Sequence, residues 1–429
     1  MDQGNTAFLL LAAALVLLMT PGLAFFYGGL VKAKSVISMM MMSFGAIGLI
    51  GVLWVVYGYA IAFPTIEGTA SLPWLFDSSN FLLAAATADA AEPAAAYPTL
   101  AFVAFQATFA IITVALISGA IADRAKFGAW MIFAGIWATV VYFLVASWVF
   151  NFGLGADADG NGTFSYGGWI TNGLEDVFGV GAIDFAGGTA VHINAGAAAL
   201  ALALVLGKRV GFAKGAHVPH NPPFVLLGAG LLWFGWFGFN AGSELAADGF
   251  AALAFVNTIA APAAALLAWL VVEKIRDGKP TSVGAASGAV AGLVAITPAC
   301  ASLTPGWAIV LGIVAGVICA LAIDLKYKLG FDDSLDVVGI HLVGGLVGTL
   351  YLGFFANGTG IVYGAGPTQL LVQAIAAFSV LLYSFVLAFV IGFIIEKTVG
   401  FRVKNEDEIA GVDLVVHGEE GYVLADAKA

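Results

Sequence analysis

All sixteen lysines and arginines of this 429-residue chain fall after odd-numbered members of a series of eleven apolar runs. The runs lie at about 6–31, 43–63, 99–121, 127–150, 184–206, 223–243, 251–272, 282–302, 306–325, 337–356 and 368–395. Each is long enough to cross a hydrocarbon layer about 30 Å thick as a helix. Lys32 and Lys34 follow the first run, Arg124 and Lys126 the third, and Lys208, Arg209 and Lys214 the fifth. Lys274, Arg276 and Lys279 follow the seventh, Lys326 and Lys328 the ninth, and Lys397, Arg402, Lys404 and Lys428 the eleventh. Basic residues of short loops stay on the cytoplasmic side, so one span too many or too few would break this alternation. The chain is therefore expected to be an all-α polytopic protein of the cell membrane, with about eleven transmembrane helices, its N-terminus outside and its C-terminus inside.

Composition agrees. With 61% hydrophobic residues, 10% charged residues and a mean hydropathy of +1.00, too little polar surface remains to cover a water-soluble core. Asp2 precedes the first run and no basic segment does, so this run reads as a span and not as a cleaved signal. The face opposite the basic residues carries only acids: Glu67, Asp77, Asp89 and Glu92 in one loop, Asp157, Asp159, Glu175 and Asp176 in another. Such a surface favours solubility and concentrates cations, which tilts the substrate toward a cation and away from nucleic acid. Scattered glycines such as Gly45, Gly48 and Gly51 are expected to let helices approach closely. Cys300 and Cys319 sit in separate apolar runs and read as unpaired core thiols.

Two histidines interrupt the apolar runs. His192 stands eight residues after Asp184 in DFAGGTAVHINAG, about 12 Å along a helix, and His341 stands five after Asp336 in DVVGIHLVGG. An ionisable ring near mid-membrane is costly and points to a pathway. The fifth run enters from outside and the tenth from inside, so both rings reach mid-depth. This is the pattern of a 5+5 inverted repeat, spans one to five and six to ten, with an eleventh helix added. The two imidazoles are expected to meet inside a pore. A lone histidine on a backbone carbonyl is the bland alternative, and a metal site lacks an evident third ligand.

Beyond these two segments, FGWFGFNAGS at 234–243, GLVAITPAC at 292–300 and DDSLDVVGIH at 332–341 extend a likeness that runs from PGLAFFYGGLV at 21–31 to GVDLVVHGE at 411–419. The chain resembles the ammonium transporters of the Amt type, related to the Mep and Rhesus proteins. The resemblance implies that His192 and His341 are the family's twin histidines, sharing one proton between their rings. Phe109 and Phe239 match the paired phenylalanines that gate the pore. Phe105, Phe150 and Ser243 match the outer vestibule that recruits ammonium through cation–π attraction and a hydroxyl acceptor. Asp184 matches the buried acid at the foot of that site, and Trp236 a pore-lining tryptophan.

The implied function is an ammonium channel or transporter that takes the proton off ammonium, conducts ammonia through a hydrophobic pore and relays the proton along the histidines. Methylammonium would serve as an analogue, and no cofactor or metal is implied. The resemblance further implies a transmembrane domain over 1–400, a cytoplasmic regulatory tail over 401–429, a homotrimer in the lipid bilayer, and docking of PII-type signal proteins on the cytoplasmic face. This chain departs from the usual pattern at Phe150, where tryptophan is common, at Ser147, where histidine is, at Leu342, where glycine is, and at Gly421 in the tail.

Other classes fit less well. An ammonium sensor would use the same vestibule and tail. An enzyme finds no HExxH, no serine–histidine pair with an oxyanion motif and no phosphate-binding glycine loop. Asp157, Asp159, Asn161 and Gly162 copy the first half of a calcium loop, but Gly168 stands where the bidentate acid belongs. His217 and His220 form only a weak candidate metal pair.

Overall fold

The computed structural model describes residues 2–64, 78–88, 96–151, 168–212 and 218–422. Its described residues form helices and no strand; one isolated β-bridge joins Ala125 to Arg402. Eleven apolar helices follow the predicted runs: α1 Gln3–Leu30, α2 Ala33–Ala62, α3 Thr99–Ile121, α4 Phe127–Phe150, α5 Gly188–Leu206, α6 Pro222–Gly242, α7 Gly249–Arg276, α8 Ser282–Ile296, α9 Pro305–Leu329, α10 Val338–Phe355 and α11 Thr368–Thr398. Ten of them are long and apolar enough to cross a membrane. The exception is α8, which stops at Ile296 because Pro298 supplies no N–H and the chain turns at 297–302 instead of continuing. The start of α5 also differs from the expected 184. Residues 181–187 are not helical, and α5 begins at Gly188 after Gly187 turns the chain at φ +115°.

α1 and α6, the first helices of the two sequence halves, share the most extensive contact. Gly228, Gly235 and Gly238 of α6 make it possible, since a Cβ on any of them would run into α1 at Phe26, Met19 or Ala12. The glycines singled out in α2 divide. A Cβ on Gly45 would press on Met131 and Phe127 of α4, whereas Gly48 has open space and Gly51 meets only Ile111 at 3.9 Å. Spacing alone cannot tell which side of a helix faces a neighbour. Cys300 and Cys319 are buried free thiols.

The loops that carry the basic residues gather at one end. Arg209, after α5, holds Asp332, after α9, through Nη2–Oδ1 and Nε–Oδ2 contacts of 2.9 Å each, and Asp123, after α3, at 3.0 Å. Arg124 is fully buried and donates to the Asp332 carbonyl at 2.6 Å. Arg276, the last residue of α7, reaches Asp324 of α9 at 2.8 Å. The segment after α11 is laced across this end. The Val403 N–H donates to the Arg124 carbonyl, Glu408 accepts from the Val210 N–H at 2.7 Å, and Lys34 donates to the Ile409 carbonyl. Asp413 accepts from the Ile37 and Ser38 N–H groups at 3.0 and 2.7 Å and so caps the start of α2. His220 donates from Nδ1 to the Val31 carbonyl and meets the Tyr422 hydroxyl through Nε2, each at 2.8 Å. Its place is structural; His217 and the calcium-like run 157–167 lie outside the described residues, as do Glu67, Asp77, Asp89 and Glu92.

Gly312 of α9 meets the Ala261 backbone of α7, so a Cβ there would overlap the Ala261 carbonyl. Gly312→Ala should cost about 1–3 kcal/mol, the usual penalty of overpacking. Gly48→Ala, in open space, should be neutral or slightly stabilising. Thermal unfolding of both variants in detergent checks the contrast.

Candidate functional site

The two histidines sit on matched structural units. α5 opens with a wide π-helical turn, Gly188–Ile193, and α10 with another, Val338–Leu342, each followed by a 13-residue α-helical stretch. Such turns re-aim side chains and recur at functional sites. Here they bring the rings together: the Nδ1 atoms of His192 and His341 lie 3.3 Å apart, with centroids 5.3 Å apart and planes inclined at 31°. Both are buried, at 1% and 3% exposure. On its other side His192 Nε2 lies 3.3 Å from Thr297 Oγ1. Thr297 also accepts from Trp236 Nε1 at 2.9 Å and donates to the Leu293 carbonyl at 2.8 Å. The Trp236 indole stacks over His192 with centroids 5.5 Å apart.

Asp184 holds the start of the first unit. Its Oδ1 accepts from the N–H groups of Gly187 and Gly188, and its Oδ2 from the Thr189 and Ala190 N–H groups at 2.8 and 3.1 Å and from the Thr189 hydroxyl. Five donors on one buried carboxylate satisfy the otherwise orphaned first turn of a helix. The counterpart in the second unit is Asp333, eight residues before His341 as Asp184 is before His192, with Oδ2 accepting from the Val338 N–H at 2.7 Å. Asp336, paired with His341 in the sequence reading, instead binds Lys326 at 2.6 Å.

A run of rings lies on the Thr297 side of the pair. Phe109 of α3 and Phe239 of α6 stack at 4.1 Å and 16°, and His192 lies 6.2 Å from Phe239. Phe105, one turn before Phe109, tilts against it at 4.8 Å, and Phe150 at the end of α4 meets it edge-on at 6.0 Å. Ser243 closes α6, donates to the Phe239 carbonyl at 2.8 Å and keeps its lone pairs free to accept. Inside the phenylalanine pair a narrow cavity is lined by Met19, Leu23, Phe26, Ile112, Leu116, Val191, Leu232, Trp236, Phe239 and Val290, with the two imidazoles as its polar groups. Eight of the nine residues singled out by sequence are thus joined by these ring and hydrogen-bond contacts, and Asp184 holds the backbone just before His192. Among the described residues, no three histidine, cysteine or acidic side chains are placed to hold a metal.

Several contributors were not singled out. Thr297 lies inside a quoted motif, and its signal was a hydroxyl beside the proline that ends α8. Gln373 of α11 pairs with the backbone of Ile183, accepting from its N–H at 2.6 Å and donating to its carbonyl at 2.8 Å, while Gln369 donates to the Gly181 carbonyl at 3.1 Å. Two glutamines four apart in an apolar span were the available sign. The eleventh helix thus clamps the extended segment that carries Asp184. Leu342, where glycine is common, packs against Gly196, so the small residue stands on the facing helix instead.

Two measurements test these acids. Asp184→Ala strands five donors and should lower stability by several kcal/mol, while Asp184→Asn, which keeps one accepting oxygen, should fall between it and the parent in detergent melts. Burial, followed by repulsion from Asp336, pushes the Asp333 carboxyl up to about 6. The folded state then keeps a proton that the unfolded chain releases near pH 4, so stability falls as pH rises from about 4 to 6. Asp333→Asn should remove that slope from a series of melts at different pH.

Residues 7–422 match the model of the Ammonium Transporter Family. An ammonium transporter of Mycobacterium tuberculosis is 54% identical over 99% of this chain and 91% of its own length. Among solved structures, a sensor Amt protein superposes with a TM-score of 0.84 at 26% identity, covering 96% of this chain and 98% of its own. Candida albicans Mep2 does so with 0.81 at 31%, covering 100% and 95%. With the family model spanning nearly every residue and the spans and paired imidazoles in place, the chain belongs to the Ammonium Transporter Family.

Proposed function

We propose that this multi-pass membrane protein carries ammonium by the route along which its aromatic rings and imidazoles lie. Ammonium transport itself comes with the family; the steps are our reading. The observation that carries it is the contact between His192 and His341 just inside the stacked Phe109 and Phe239, in a passage with almost no other polar group. An intact cation is expensive to move through such a lining, whereas neutral ammonia is not. Ammonium is recruited at Phe105, Phe150 and Ser243 and gives up its proton at the phenylalanine gate. Ammonia follows the cavity past Trp236, and the proton passes along the histidines. Phe150 is a weaker cation–π partner than tryptophan, so recruitment here leans more on the Ser243 lone pairs. Asp184 acts through the backbone it caps.

In the same reading the clustered arginines and lysines face the cytoplasm, the N-terminus lies outside, and 401–429 is a regulatory tail, whose stretch from Val403 to Tyr422 lies across the inner mouth. Three such chains form the homotrimer, each with its own pore, and PII-type proteins dock on the tail face. A second reading, ammonium sensing with little flux, draws on the likeness to the sensor Amt protein.

Currents from protein in liposomes on a jump of ammonium, methylammonium or potassium separate these readings. The parent should carry the first two and exclude potassium, which has no proton to give up. His192→Ala should lower ammonium flux about a hundredfold or more, the usual scale for losing a positioned proton-transfer group, and weaken discrimination against potassium. Unchanged selectivity in folded His192→Ala protein would refute the relay.

A further inference from the structure

The groups behind His192 determine which of its nitrogens carries the hydrogen. A threonine hydroxyl has one hydrogen and two lone pairs. Thr297 lies 2.8 Å from the Leu293 carbonyl, which can only accept, so its hydrogen is spent there. Its lone pairs face two nitrogens: Trp236 Nε1 at 2.9 Å, which can only donate, and His192 Nε2 at 3.3 Å. With no second hydrogen to offer, Thr297 can engage His192 only as an acceptor, and Nε2 carries the hydrogen. A neutral imidazole has one N–H, so His192 Nδ1 is left as a lone pair. His341 Nδ1, 3.3 Å away, must then be the donor, and His341 Nε2 is left bare.

We propose that Thr297 is a positioning residue that fixes the resting polarity of the imidazole pair, with His341 donating to His192 and His192 donating to Thr297. For its effect on transport this rests on the relay described above. A proton arriving from the gate side needs a lone pair on His192 Nε2, where a hydrogen already sits against Thr297. Both rings must first exchange tautomers, so that His192 donates through Nδ1 and bares Nε2. The incoming proton then bonds to Nε2, the Nδ1 hydrogen moves to His341 Nδ1, and the hydrogen on His341 Nε2 leaves on the far side. One proton enters, one leaves, and the pair returns to the state Thr297 holds. Every turnover from the gate side therefore includes a reset that breaks the bond to Thr297. Passage in the opposite sense starts from the held state. An ordinary neutral hydrogen bond biases such an equilibrium about fivefold.

The test is the 15N spectrum of histidine-labelled protein in liposomes, with the His192 signals identified by their absence from His192→Gln protein. The parent should show His192 protonated at Nε2 and His341 at Nδ1. Thr297→Ser should keep that pattern, and Thr297→Val, which keeps the shape without the hydroxyl, should shift the ratio about fivefold toward the other tautomer. A parent His192 protonated at Nδ1, or a folded Thr297→Val protein with an unchanged ratio, would overturn the proposal; the parent spectrum decides even if the valine variant does not fold. In liposomes Thr297→Val should raise the current from an ammonium jump on the gate face up to about fivefold, with no rise in the opposite sense. A parent without ammonium current would sink the relay and leave the tautomer to the spectra, whereas a parent with current and the wrong tautomer would sink only the role of Thr297.

Discussion

Inside a bilayer a backbone N–H that finds no partner in the protein has no water to turn to, and each such group costs several kcal/mol. This chain meets that constraint where it stops being a regular helix, just before the paired imidazoles. The Asp184 carboxylate resolves the conflict. By gathering four backbone N–H groups and one hydroxyl it lets the fifth helix begin abruptly, in a widened turn, at the depth where His192 is needed. The α11 glutamines then satisfy the extended segment just before it. The position of the imidazole is set by this hydrogen-bonded collar, not by packing of the ring alone.

The same solution serves twice in one chain. Asp333 and the π-turn at Val338–Leu342 repeat the arrangement for His341, with a lighter set of donors. The two units differ in surroundings. The first draws only on backbone N–H groups and the Thr189 hydroxyl, whereas the second stands next to the charged cluster of Arg124, Arg209, Lys326 and Asp332. The carboxyl of the second, Asp333, is pushed up to about 6 by its burial and by Asp336.

Much of this was legible in the residues. Hydropathy and the placement of lysines and arginines identified eleven helices, because both reflect the solvent each stretch must meet. The histidines stood out because ionisable rings are rare in such runs, and Phe109 and Phe239 could be picked from 33 phenylalanines only through their motifs. Other features were out of reach for physical reasons. A threonine in an apolar span looks like any other until its neighbours are known, so Thr297 went unassigned. Asp333 and Asp336 are three apart, and only the direction of the backbone decides which one faces the helix start. The depth of α8 turned on one proline, and the role of Gly48 on which face of α2 has a neighbour.

The cap that Asp413 places on the second helix joins residues 376 positions apart. During synthesis the first two spans are made long before that carboxylate exists, so this end of α2 goes uncapped until residue 413 has been added and folded back onto it. The two ends of the chain are thus locked to each other by a contact that only late residues can make.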